Sequence, residues 1–178
     1  RICYEGSGAG YMVGHNLRAA AWGYLFRRES LGELRFVTGI FHEDEAFTPR
    51  LWLQAKHVCV TSLPVYAYYQ RSDSIVHVSS REQLEKRMAD LRQVLVGLKQ
   101  EPVRNALQQQ ALRRRMETLA SDVWWRLVCE SPDTAFLRCQ LGWFREAGFY
   151  PLPLRFYTLR YILMHIGSQC GMVSVFLN

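Results

Sequence analysis

Lysine is scarce in this chain: of 22 basic residues only Lys56, Lys86 and Lys99 are lysine, and the rest are arginine. With 16 carboxylates the formal net charge is +6. An arginine-rich surface suits phosphates, diphosphates or acidic lipid head groups, because the guanidinium is a planar fork of donors. Cys3, Cys59, Cys129, Cys139 and Cys170 form no Cys-x-x-Cys pair. That excludes a zinc knuckle or a thioredoxin-like site and predicts reduced, mostly buried thiols of a cytoplasmic protein. No apolar run approaches the roughly 20 residues that a helix needs to cross a bilayer. Arg1 is preceded by no initiator Met and followed by no leader-like segment, so the chain is expected to be a piece of something longer. Gly6-Ser7-Gly8-Ala9-Gly10 lacks the Gly-Lys-Ser/Thr ending of a phosphate loop and predicts a turn or linker. His42-Glu43 is followed by Ala46 where a zinc hydrolase would need a second His.

What is present is enough apolar material, 49% hydrophobic and 13% aromatic, for one globular domain or two small ones. The central feature is the run from Phe36 to Phe47, strand-like until Gly39 and ending in Glu43, Asp44 and Glu45. Phe47, Leu51 and Ala55 recur at every fourth position, so a helix starts close to Asp44. Pro49 places that start within a few residues, since its missing N–H is harmless only in a first turn. Carboxylates at a strand-to-helix junction occupy the rim where α/β folds put their chemistry. First-turn acids also cap free N–H groups, and capping is the competing explanation.

Beyond this junction, Val58 to Thr61 and Val65 to Tyr69 read as strands separated by a turn at Ser62-Leu63-Pro64. From Ser80 onward the periodicity is helical. Leu84, Met88, Leu91, Leu95 and Leu98 make one seam; Pro102 suits the first turn of a second helix, whose face Val103, Leu107, Ala111, Met116, Leu119, Val123 and Leu127 continues to about Glu130. Ser131-Pro132-Asp133 starts another helix that ends near Gly148, and Phe156 to Ile166 is the last. The expected domains are residues 1–80 and 81–178. Arg113-Arg114-Arg115 spread around a helix and form no flat basic face, which argues against a nucleic-acid partner. The last helix combines aromatics with Arg155 and Arg160, and fits either a core position or a membrane interface.

Ala21-Trp-Gly-Tyr-Leu-Phe-Arg-Arg-Glu-Ser-Leu31, Leu34-Arg-Phe36, Gly39-Ile-Phe-His-Glu-Asp-Glu-Ala-Phe47 and Val65-Tyr-Ala-Tyr-Tyr-Gln-Arg71 with Ser74-Ile75 resemble, in order and spacing, the second half of bacterial family 2 glycosyltransferases. The resemblance covers about residues 5 to 80. It implies an α/β fold, a partial GT-A (Rossmann-like) sheet segment, followed by an all-helical C-terminal region. It further implies inverting transfer of a sugar from a nucleotide diphosphate donor to an acceptor hydroxyl. Asp44 would be the general base, with Glu43 shaping the site and His42 lining it. Trp22 would stand in the acceptor cleft, and Arg71 and Ser74 would reach the diphosphate. His77 matches a position where some relatives hold a metal.

Such enzymes carry an Asp-x-Asp motif for Mg²⁺ or Mn²⁺ in their first half, and none occurs here. The implied chain is therefore an acceptor-side fragment, inactive alone, with no metal of its own and sheet edges free for self-association. Its implied partners are a nucleotide sugar and a glycan or lipid-linked acceptor used in cell-surface polysaccharide synthesis. Its implied location is the cytoplasm or the inner membrane face. The alternative is a non-catalytic helical interaction or membrane-docking module in which the acids are only a cap.

Overall fold

A computed structural model describes residues 1–69, 80–131 and 133–169 of the chain. The fold is mixed α/β and mostly helical. In chain order it runs β1 (Ile2–Gly6), α1 (Gly8–Gly14), α2 (Glu43–Gln54), β2 (Val58–Thr61), α3 (Arg81–Lys99), α4 (Ala106–Glu130), α5 (Thr134–Glu146) and α6 (Leu159–Gln169). Short 3₁₀ turns cover Ala21–Gly23 and Arg28–Leu31. Two compact units divide the chain, Arg1–Leu112 and Arg113–Asn178. The composition shift at Ser80 marks the start of α3, which packs on α2 and belongs to the first unit, so the expected boundary at residue 80 is not where the two units divide.

In the first unit β1 and β2 pair antiparallel, with Tyr4 opposite Val60 and Gly6 opposite Val58. Among the described residues this ribbon is the whole sheet, which is less than a Rossmann-like segment. The expected strand at Val58 to Thr61 is present. Val65 to Tyr69 forms no strand; it runs unpaired and exposed. The apolar run from Phe36 to Phe41 is likewise irregular, so the acids follow a loop and not a strand. Side chains of α3, and no neighbouring strand, take up its backbone groups.

The glycine-rich stretch also departs from expectation. Ser7 caps α1, its hydroxyl accepting from Gly10 N at 3.1 Å. Gly8 N donates to Ala55 O at 3.0 Å, which seats α1 on the end of α2. A Cβ at Gly8 would lie 2.1 Å from the Trp52 carbonyl oxygen, closer than atoms can approach. Met12, Phe47, Leu51, Trp52, Leu91, Leu95 and Leu98 are buried in this unit. Pro49 sits in the second turn of α2, deeper than the first-turn position expected. The Ala46 carbonyl, one turn before Arg50, accepts from Arg50 Nη1 at 2.5 Å. Arg50 Nε in turn meets Glu101 Oε2 at 2.6 Å and ties α2 to the segment after α3.

The helix α4 begins at Ala106 and not at Pro102, and Val103 and Leu107 of the expected seam are exposed; from Ala111 on the buried residues follow the periodicity. Asp133 caps α5 by accepting from Phe136 N at 2.7 Å. Gly148, at φ 79°, closes it, with Phe149 N donating to Phe144 O at 2.8 Å. Val123, Leu127, Phe136, Leu141, Phe144, Leu152, Tyr161 and Met164 are buried. Arg115 is buried, while the Arg114 guanidinium lies 4.6 Å from the Tyr157 ring centre, so the arginine triplet makes no basic face. Cys3, Cys59, Cys129 and Cys139 are exposed, against the expectation of buried thiols. They lie on the outer faces of the ribbon and helices, where the core residues alternate away from them.

Gly8→Ala should lower the stability of the chain by about 1–3 kcal/mol, because the new methyl group can be housed only by moving α2 backbone. Gly14→Ala, with nothing within 4 Å of the added Cβ, should be neutral or gain up to about 1 kcal/mol. Thermal denaturation of both variants checks the contrast, and equal effects would mean that α1 does not rest on Trp52.

Candidate active site at the start of helix α2

The position of the acids is set by how α3 grips the loop before them. Phe41 N donates to the buried Asp90 carboxylate, Oδ2, at 2.8 Å. Lys86 Nζ donates to the Gly39 carbonyl at 3.0 Å and to Asp90 Oδ2 at 2.9 Å. The Phe41 ring lies 5.5 Å from the Lys86 ammonium and 4.9 Å from the Arg87 guanidinium. Gly39, at φ 76°, makes the turn that this grip requires. The loop is also fastened by the Phe36 ring, stacked 3.9 Å from that of Phe47. His42 then takes the left-handed conformation at φ 64°, and Glu43 begins the helix. A non-glycine residue in that region carries strain that the surrounding contacts must hold.

Of the acids, Glu43 is exposed and Asp44 is half-buried. Asp44 Oδ1 accepts from Glu45 N at 2.9 Å, so it contributes a cap as well as a charge. Burial, with Glu45 and Glu43 adding like charge, pushes its carboxyl up from 3.8 to about 6, against the lowering effect of the backbone hydrogen bonds. A first-turn acid acting only as a cap would be expected to shift the other way. This carboxylate therefore holds a proton better than an ordinary aspartate while still titrating below neutral pH. That combination suits a general base.

Trp22 lies in the first 3₁₀ turn, and its surroundings change its expected role. Its ring stacks with Tyr66 at 4.7 Å and with Tyr68 at 5.4 Å, and the Arg18 guanidinium lies 4.9 Å from its centre. These three groups cover part of the indole, which remains 39% exposed. Tyr66 and Tyr68, alternate residues of one extended segment, are themselves half-exposed and carry the flat apolar surface outward. The sequence reading missed this pair, although alternate tyrosines in an extended run were its signal. Arg71, Ser74 and His77 lie outside the described residues, so the structure joins Asp44, Glu43 and His42 and leaves the expected diphosphate contacts aside.

Among the described residues no group of three or more His, Cys, Asp or Glu side chains is placed to hold a metal ion. No protein-family model, curated protein or solved structure matches the chain.

The raised proton affinity of Asp44 links its charge to stability. The folded chain binds more protons than the unfolded chain between about pH 4 and about pH 6, so stability falls as pH rises through that window. Asp44→Asn, which cannot ionise, should melt about 1–4 °C above the parent at pH 7, with the difference closing by pH 4. Melting curves across that range check it. A variant less stable than the parent at pH 7 would make Asp44 a simple cap.

Proposed function

We propose that the chain is the acceptor-side part of an inverting, nucleotide-sugar-dependent glycosyltransferase, with Asp44 as its general base. The observation that carries this is the half-buried Asp44 carboxylate, fixed at a loop-to-helix junction beside the exposed Glu43, where burial raises its proton affinity. The motifs from Ala21 to Ile75 support it through their resemblance to family 2 glycosyltransferases. In the proposed reaction the acceptor hydroxyl oxygen attacks the anomeric carbon of the donor. The bond from that carbon to the diphosphate oxygen breaks, and the hydroxyl proton passes to an Asp44 carboxylate oxygen. A hydroxyl does not ionise at neutral pH, so a carboxylate within about 3 Å is needed, a contribution near 10²–10⁴ in rate.

The ring faces of Tyr66 and Tyr68 are proposed as the surface that receives the acceptor sugar, with Trp22 as their support. Arg71 and Ser74 are proposed for the diphosphate, where a guanidinium can bind two oxygens and offset charge on the leaving group. The β1–β2 ribbon is proposed as one margin of a GT-A sheet completed by a donor-binding portion outside these 178 residues. A Mg²⁺ or Mn²⁺ ion serving the donor would belong to that portion; the described residues do not fit one, and no step is assigned to it. The proposed setting is polysaccharide synthesis on the cytoplasmic side of a membrane.

The test is nucleotide release by the polypeptide translated from the whole reading frame, with a panel of nucleotide sugars and glycan acceptors. Asp44→Asn should lower kcat by about 10²-fold or more with little change in the KM of the donor. Turnover retained in Asp44→Asn would end the assignment.

A further inference from the structure

The aromatic surface formed by Trp22, Tyr66 and Tyr68 carries a single charge. Both tyrosines belong to residues 62–69, a segment without any charged side chain, and Trp22 belongs to residues 16–26, where Arg18 is the only charged one. The Arg18 guanidinium lies 4.9 Å from the centre of the Trp22 ring, and that ring stacks with Tyr66 at 4.7 Å and with Tyr68 at 5.4 Å. All four residues are exposed. Guanidinium and tyrosine rings thus border one indole, no further apart than the length of a disaccharide.

Arg18 is presented from a fastened turn. Leu17 before it and Ala20 after it are buried, and its carbonyl accepts from Ala20 N at 3.1 Å and from the Tyr24 hydroxyl. Gly23 N donates to Ala20 O at 2.9 Å, which closes the turn that carries Trp22. Elsewhere Arg50, Arg81, Arg155 and Arg160 each meet a carboxylate; among the described residues Arg18 meets none. A guanidinium that touches a ring through its π face keeps its edge of N–H donors, and that edge matches a carboxylate or phosphate in two parallel hydrogen bonds. An unpaired arginine is ordinary on a basic surface. One fixed against exposed aromatic rings, with no other charge in the segments that carry them, joins the two halves of an acidic-sugar site, an apolar face and a cation.

From this arrangement we infer that the acceptor is an acidic glycan: one sugar ring stacks on Tyr66 and Tyr68, and a carboxylate or phosphate on that sugar or its neighbour is held by Arg18. The inference rests on the proposed acceptor role of the two tyrosines and adds the chemical class of what they receive. Aromatic rings offer apolar contact to the C–H face of any pyranose, so they attract without selecting. Selection between neutral and acidic sugars falls to the single cation, and its electrostatic part weakens with salt.

The test is titration of the 178-residue chain with cellobiose, cellobiouronic acid and a cellobiose phosphate, followed at the Trp22 indole N–H resonance, which is identified by its absence in Trp22→Phe. Cellobiouronic acid, the phosphate or both should bind about three- to tenfold tighter than cellobiose, the two acidic arms telling which anion is preferred, and raised salt should narrow the gap. Arg18→Gln, with an unchanged circular-dichroism melt, should bind all three about equally, and Arg18→Glu should bind the acidic sugars less well than cellobiose. An acidic preference that survives in Arg18→Gln would overturn the inference, since the net positive chain would then attract anions at large. Equal binding of all three by the parent, lost in Tyr66→Ala/Tyr68→Ala, would overturn it while leaving the tyrosines as the acceptor surface. Binding of no sugar would overturn the inference and the acceptor role of the tyrosines together. Asp44 takes no part in this equilibrium, so Asp44→Asn should bind as the parent does, and failure of its role as general base would leave the result unchanged.

Discussion

The Asp90 carboxylate, buried on α3, accepts the Phe41 N–H, and the start of α2 follows from that bond. A buried carboxylate must be compensated, and here Phe41 N and the Lys86 ammonium do it together. Because Lys86 also binds the Gly39 carbonyl, the loop is gripped on both sides of its turn. Its last residue, His42, is carried into the left-handed conformation from which α2 departs. Asp44 follows two residues later, half-buried in the first turn of α2. Burial is the main cause of its raised proton affinity, with the like charges of Glu45 and Glu43 adding to it.

That dependence explains which parts of the molecule could be read in the sequence. The helices α3 to α6 carry their own periodicity, and their limits at Ser80, Asp133 and Gly148 are marked by residues that cap by local geometry. The start of α2 near Asp44 was legible for the same reason. Phe36 to Phe41 was not, because its apolar character resembles a strand while its partners, Asp90 and Lys86, lie 49 and 47 residues away from the atoms they bind. A distant side chain that takes a backbone hydrogen bond leaves no periodic signal.

At the candidate site the same division appears. The acids were identifiable from their place before an apolar helical stripe, whereas the raised affinity of Asp44 depends on burial that only the folded chain supplies. Trp22 was read as an acceptor-cleft residue through the resemblance, and in the fold its ring packs with Tyr66, Tyr68 and Arg18. The tyrosines carry the outward surface, and their alternation was read as a strand. Exposed Cys3, Cys59, Cys129 and Cys139 show that composition does not report which side of an element faces water.

The central claim is that folding turns Asp44 into a proton acceptor suited to neutral pH. Its most direct test is the titration of the Asp44 side-chain carboxyl carbon, followed by carbon-detected NMR of the selectively labelled chain from pH 3 to pH 8. A midpoint near 6 is expected. A midpoint at or below about 4, the range of an exposed or capping aspartate, would contradict the account and leave the acids as the cap of α2.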